Sequence, residues 1–292
     1  MLSRIISLKV QQTILVLVLS VMPFIQDSAY SKEYSVDYRH SIWSVMQKQY
    51  RLLPNNQPHT RKHISTLLHN QAWVMTLTKR SEMYMYYLFQ QTQIRHMPAE
   101  VALIPMLESH FNPREHSPTG ASGLWQLQPA LARALHIPMN RHYDGRYDVL
   151  VATKAALKHL EYLHQRFGDW LLAFAAYNCG EGRLAHAIAE NRRQHKATDF
   201  WHLNLPEETK HYVPGLLALA TLLANPRKYH LKIYNVANHP YFSAIAISQQ
   251  QSLTVIAKNR HVPATVMSKL NSGYQDGLVS PRWQKHALVP IS

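Results

Sequence analysis

Residues 108–128 hold side chains whose types and spacing could do chemistry. Glu108 closes an apolar run, Val101 to Leu107, and opens a loop rich in Pro, Ser and Gly. Apolar surroundings disfavour the charged form of a carboxyl group and raise its pKa, which fits a Glu for general-acid work near neutral pH. Gly120 and Gly123 let the backbone turn tightly and come close to a ligand. Leu124-Trp125-Gln126 follows with an aromatic face and an amide fork, side chains suited to holding a sugar.

The elements that must position these residues are helices. The chain has only 9 Gly, and six of them fall between Gly120 and Gly182, so conformational freedom is concentrated beside the candidate chemistry. Residues 41–97 read as helices with polar joints: Ile42, Val45 and Met46 share a face, and Tyr84, Tyr87, Leu88 and Gln91 recur at helical spacing. Pro54 and Pro58 mark a break. Pro98 with Glu100 starts the run into Glu108, and Pro105 should kink that run or end a turn. Residues 149–167 predict a helix, with Leu157, Leu160, Leu163 and Phe167 on one face and Gly168 as its stop. Trp170 to Tyr177 is apolar all round, which predicts a buried helix ending near Asn178, with Gly180 and Gly182 beyond it. Residues 209–224 predict another, stopped by Asn225-Pro226. From about residue 233 short β-branched runs such as Ile245 to Ile247 alternate with polar stretches. The expected fold is mainly α, with a small mixed α/β module at 233–292.

The net charge of +14 points to an anionic partner or surface. The Lys and Arg residues are scattered, with no zinc-ligand spacing, RNA-binding aromatic signature or basic arm, so nucleic acid is not the expected partner. A bacterial wall, with its peptide carboxylates and acidic polymers, would satisfy the same charge. Residues 1–31 read as an export signal: Arg4 and Lys9 precede an apolar heart, Ile14 to Val21, with small residues at Ala29 and Ser31. An uncleaved anchor or peripheral membrane association is the alternative. Cys179 is the single cysteine, so no internal disulfide is possible, and beside an apolar helix it reads as a small packed residue. No cofactor or metal is expected, because the 19 His residues show no paired spacing with a carboxylate on one helix face.

Four stretches agree on a family. They are Glu108-Ser109 through Gly120-Ala121 to Gly123-Leu124-Trp125-Gln126, Ala176-Tyr177-Asn178 with Gly180-Glu181-Gly182, Leu205-Pro206-Glu207-Glu208-Thr209 with Tyr212-Val213-Pro214, and Tyr143-Asp144-Gly145-Arg146. Together they resemble the soluble-type lytic transglycosylase domain of bacterial cell walls, in its membrane-bound transglycosylase D-like branch, over roughly residues 41–232. The resemblance implies a goose-lysozyme-like helical fold. It also implies an exported enzyme of the periplasm or cell envelope that cleaves the β-1,4 bond between N-acetylmuramic acid and N-acetylglucosamine in peptidoglycan without adding water, leaving 1,6-anhydromuramic ends. Glu108 matches the catalytic acid that later serves as base. Ser117, Gln126, Tyr177, Asn178 and Tyr212 match substrate-binding positions, with Ser109 and Glu208 in support. Ser117 is equally at home as a turn residue before Pro118. Glu208 reads at least as well as a buried structural partner. Glu115 departs from the family, where this position is small or apolar, and is expected to be solvated.

The expected layout is an export signal at 1–31, an N-terminal helical segment at 32–98 packed on the body, a catalytic domain at 99–232 and a C-terminal module at 233–292. Within the last, residues 243–290 resemble a LysM-like wall-binding module lacking the usual Gly-Asp near its start. The alternative is a packing appendage. For the whole chain, the alternatives are a hydrolytic goose-type muramidase and a wall-binding scaffold with little turnover.

Overall fold

Starts and stops written into the sequence fix most of the helices. The computed structural model describes residues 40–53 and 56–291; the expected export signal and the break at Pro54 lie outside them. Helix α1 (Ile42–Gln47) begins where the Ser41 hydroxyl accepts from the Trp43 amide. Helix α2 (Pro58–His69) starts on a proline, whose missing N–H costs nothing in a first turn. Helices α3 (Gln71–Arg80) and α4 (Met85–Ile94) follow. The run into Glu108 is split at its proline: a 3-10 segment, Ala99–Leu103, leads to the short α5 (Ile104–Glu108), with Pro105 in its first turn.

After α6 (Pro129–Ala134) comes α7 (Val149–Phe167). The Asp148 carboxylate caps it by accepting from the Leu150 and Val151 amides, and Gly168 ends it in the left-handed conformation. Asp169 caps α8 (Trp170–Cys179), which is buried from Leu172 to Ala176. The sequence reading assigns no element after Gly180, where the chain forms a full helix, α9 (Glu181–Arg193). Gly180, at φ 89°, takes the turn between the helices, and Gly182 lies inside α9. Helix α10 (Glu207–Ala224) is buried along most of its length and packs against α1, α2, α5 and α8, so it is the central post of the body.

The main core gathers Trp43, Leu88, Val101, Trp125, Leu157, Phe174 and Leu216, drawn from nearly every helix. The C-terminal module runs β1 (Phe242–Ala246), β2 (Gln251–Ser252), α11 (Leu253–Asn259), α12 (Ala264–Leu270), β3 (Leu278–Val279) and β4 (His286–Pro290). Strands β1 and β4 pair antiparallel, from Phe242 opposite Pro290 to Ala246 opposite His286. The module has its own core of Ile247, Leu253, Ile256, Met267 and Val279, which the body's Tyr143 joins. It is tied to the body there. The Tyr143 and Tyr274 ring centres lie 5.3 Å apart. The Asp144 amide donates to the Gly273 carbonyl at 2.9 Å, and His142 meets the Asp276 carboxylate at 2.6 Å. The described residues thus form a mainly α architecture with a small α/β module.

Candidate active site

Glu108 is the last residue of α5, where the helix dipole already disfavours negative charge. The chain then reverses through His110 and Phe111, both at positive φ (50° and 55°), and the Phe111 amide donates to the Pro105 carbonyl at 3.1 Å. Such geometry is uncommon for a bulky residue. It is held here because Phe111 is buried. The turn presents the Glu108 carboxyl beside α10. The close approach of the two helices is visible at Gly215, where a Cβ would sit 3.3 Å from the Leu107 side chain.

Tyr212 of α10 donates its hydroxyl to Glu108 Oε1 at 2.6 Å. Burial, the largest influence, pushes the Glu108 carboxyl up; the Tyr212 hydrogen bond opposes it, and the Glu208 carboxylate adds a rise, leaving the group at about 7. A carboxyl at that value can both donate and accept a proton near neutral pH. Burial, with the charge of Glu108, keeps the hydroxyls of Tyr212 and Tyr177 protonated well beyond the ordinary phenol range. Tyr177 donates to the Trp125 carbonyl at 2.7 Å, so α8 is fastened to the Gly-Leu-Trp-Gln segment. Asn178 donates to Glu208 Oε1 at 3.1 Å and accepts from the Thr209 hydroxyl at 2.7 Å. Glu108, Tyr177, Asn178, Glu208 and Tyr212 therefore stand together at the junction of α5, α8 and α10. Glu208 is exposed, not the buried partner that one reading of the sequence expects. It sits in the first turn of α10, where a carboxylate is favoured.

The remaining sequence-predicted residues hold the loop that walls the site. Ser109 is buried and donates to the Leu124 carbonyl at 2.9 Å. The Ser117 hydroxyl accepts from the Ala121 amide at 3.0 Å and meets the Thr119 hydroxyl at 3.0 Å, so it braces a turn and is not hydrogen-bonded to Glu108. Gln126 has φ 47°, and its amide nitrogen donates to the Gly123 carbonyl at 2.9 Å and the Glu115 carbonyl at 3.3 Å. Its amide oxygen is not taken up by these bonds. Glu115 is half-buried and accepts from the Asn112 side chain at 2.8 Å, where free solvation was expected. The nearby carboxylate that acts on Glu108 is Glu208.

Arg146 is the residue whose task the sequence conceals. Its guanidinium meets Asp144 at 2.7 Å in a buried pair and donates to the Gly120 carbonyl at 2.7 Å. At Gly123, φ 78°, a Cβ would lie 2.0 Å from the Arg146 carbonyl oxygen, so only glycine fits. The signal available was the Asp-Gly-Arg spacing of 144–146, which places opposite charges two residues apart across a tight turn. Cys179 is half-buried, and burial pushes its thiol up, as befits a packed side chain. Among the described residues no group of three His, Cys, Asp or Glu is arranged to hold a metal.

The family model of the transglycosylase SLT domain matches residues 85–200. Residues 85–200 are thus similar to an SLT domain. The chain is 34% identical over 251 residues to membrane-bound lytic murein transglycosylase D of Escherichia coli (strain K12), covering 85% of this chain and 55% of that protein. A protein of Alteromonas sp. (strain M-1) named for tributyltin chloride resistance is 50% identical over 111 residues, covering 38% of this chain and 54% of that one. The soluble lytic murein transglycosylase of Salmonella typhimurium (strain LT2) is 33% identical over 116 residues, 38% of this chain and 18% of that one. The chain spans about half the length of the first two relatives. The SLT match holds Glu108, the loop, Arg146, Tyr177 and Asn178, whereas Glu208 and Tyr212 lie beyond its end. Those two residues reach the Glu108 carboxyl through the packing of α10.

Proposed function

We propose that this chain is a peptidoglycan lytic transglycosylase with Glu108 as its acid and base. The observation that carries the reading is the Glu108 carboxyl, lifted to about 7 by burial and gripped by Tyr212, within the residues similar to an SLT domain. Protonated Glu108 gives its proton to the glycosidic oxygen as the bond from that oxygen to the anomeric carbon breaks. The carbonyl oxygen of the muramic N-acetyl group bonds to the anomeric carbon and takes up the positive charge, the substrate-assisted route. Glu108, now a carboxylate, takes the proton of the C6 hydroxyl. The C6 oxygen displaces the N-acetyl oxygen and closes the 1,6-anhydro ring. That proton leaves Glu108 in its starting acid form, and no water is consumed.

Tyr212 stabilises the carboxylate form between the two steps and aims it. Tyr177 and the Gln126 amide oxygen line the sugar site, and Asn178 fixes Glu208 at its edge. Ser109 and Ser117 act by bracing the loop. The catalytic domain is read as residues 99–232, with 32–98 as a helical buttress. Residues 243–290 are read as a LysM-like wall-binding module; the strand–helix–helix–strand order of β1, α11, α12 and β4 supports this. Action on the wall places the protein in the periplasm or envelope, with 1–31 as the export signal and peripheral association with the membrane as a further option. Among the described residues no helix is long and apolar enough to cross a membrane.

Digestion of sacculi in water enriched in oxygen-18 tests the reaction type. Transglycosylation leaves the new muramic ends unlabelled; label at those ends would make the enzyme a hydrolase.

A further inference from the structure

Helix α7 carries a polar and aromatic stripe that the proposed chemistry does not use. His159, Tyr162 and Arg166 recur at three- and four-residue spacing and so share one face of the helix. The stripe begins at the site. The His159 ring centre lies 6.0 Å from that of Tyr177, whose phenol feels the charge of Glu108. It continues outward, with the His159 and Tyr162 rings 6.1 Å apart and within 19° of parallel. Tyr162 is 43% exposed, more than any other Phe, Trp or Tyr among the described residues. Arg166 donates to the Tyr162 hydroxyl at 2.8 Å and faces Glu181 loosely at 3.6 Å, so the ring is steadied while much of the guanidinium stays in water.

We propose that His159, Tyr162 and Arg166 form a glycan-binding extension of the cleft, which takes sugars of the strand beyond the bond being cut. The inference rests on the proposed activity toward wall glycan. A pyranose ring has apolar faces and a polar rim, and it fits a single exposed ring flanked by polar side chains. A protein partner would call for a broad apolar patch, and Tyr162 stands without one. Arg166 adds a fixed positive charge suited to the carboxylates that wall glycans carry on their lactyl and peptide branches. Burial lowers the His159 pKa, which leaves a neutral ring able both to donate to and accept from sugar hydroxyls.

The test is steady-state kinetics of the full chain on glycan fragments graded by length, with wild type, Tyr162→Ala, Tyr162→Phe and Arg166→Gln. An aromatic face is worth about 1 kcal/mol, or roughly fivefold in affinity. Tyr162→Ala should therefore raise KM about fivefold for long strands, leaving kcat and all short-fragment constants unchanged. Tyr162→Phe should keep most of the long-strand advantage. Arg166→Gln should raise KM only for strands bearing peptide. Equal KM for wild type and Tyr162→Ala at every length, or an equal rise at every length, would overturn the proposal. If wild type makes no anhydro product, the functional reading fails, and calorimetric binding of the same fragments still decides the platform. Weaker long-strand binding by Tyr162→Ala supports it, and unchanged binding overturns it.

Discussion

Glu108→Gln should make the folded protein more stable at neutral and alkaline pH while removing its chemistry. The Glu108 carboxyl stands at about 7, against 4.5 for an ordinary carboxyl. Between those values the folded state holds a proton that the unfolded state has released, so stability falls as pH rises through the window and is level above it. A full shift of this size corresponds to roughly 3 kcal/mol. Part of the side chain touches solvent, which reduces the expected cost to about 2 kcal/mol. Glutamine keeps the shape, can still accept from Tyr212, and has no charge to desolvate. Urea unfolding of wild type and Glu108→Gln near pH 5 and near pH 8 measures the effect. The two should be similar at the lower pH, with the variant ahead by about 2 kcal/mol at the higher. A difference independent of pH, or a variant that is weaker near pH 8, would refute the argument that burial of this carboxyl sets its pKa.

Tyr212→Phe removes a hydrogen bond that favours the carboxylate, so the Glu108 pKa should rise by about one unit and the alkaline limb of kcat/KM should move up with it; a limb that stays in place or moves down contradicts the assignment. Gly123→Ala forces a Cβ against the Arg146 carbonyl oxygen at a positive φ, and should lower the thermal midpoint and activity together. Arg146→Met leaves the buried Asp144 without its partner, at a cost of about 3 kcal/mol in chemical unfolding, and frees the Gly120 carbonyl. Wall binding by the C-terminal module is better tested by surface substitutions than by deleting 233–292. Leu270 and Leu288 lie in the main core, so truncation should depress the thermal midpoint as well as binding.

Helix α7 was legible because its signals are local: Asp148 before it, Gly168 after it, and apolar residues at helical spacing between them. Glu108 was legible for a similar reason, since an apolar run feeding one carboxylate into a glycine-bearing loop is a contiguous pattern. Helix α9 was not, because Gly180 and Gly182 bracket its first residue and its charged surface gives a weak apolar stripe. The hydrogen bonds of Ser117 and Gln126 were also hidden. Their residue types suit a sugar or a turn equally, and only the folded loop shows Ser117 accepting from the Ala121 amide and Gln126 donating to the Gly123 carbonyl. The antiparallel pairing of β1 with β4 joins segments some forty residues apart, and no local pattern specifies that partner. Glu208 illustrates the same limit at the site, where its influence on Glu108 depends on how α10 packs against α5.

The central claim, that Glu108 cuts the glycan and then closes the anhydro ring, is tested most directly by mass spectrometry of what the purified protein releases from sacculi, with Glu108→Gln run beside it. The account predicts anhydro-muropeptides, one water lighter than hydrolytic products, from wild type and none from the variant. Reducing-end products from wild type, or anhydro products from both proteins, would contradict it.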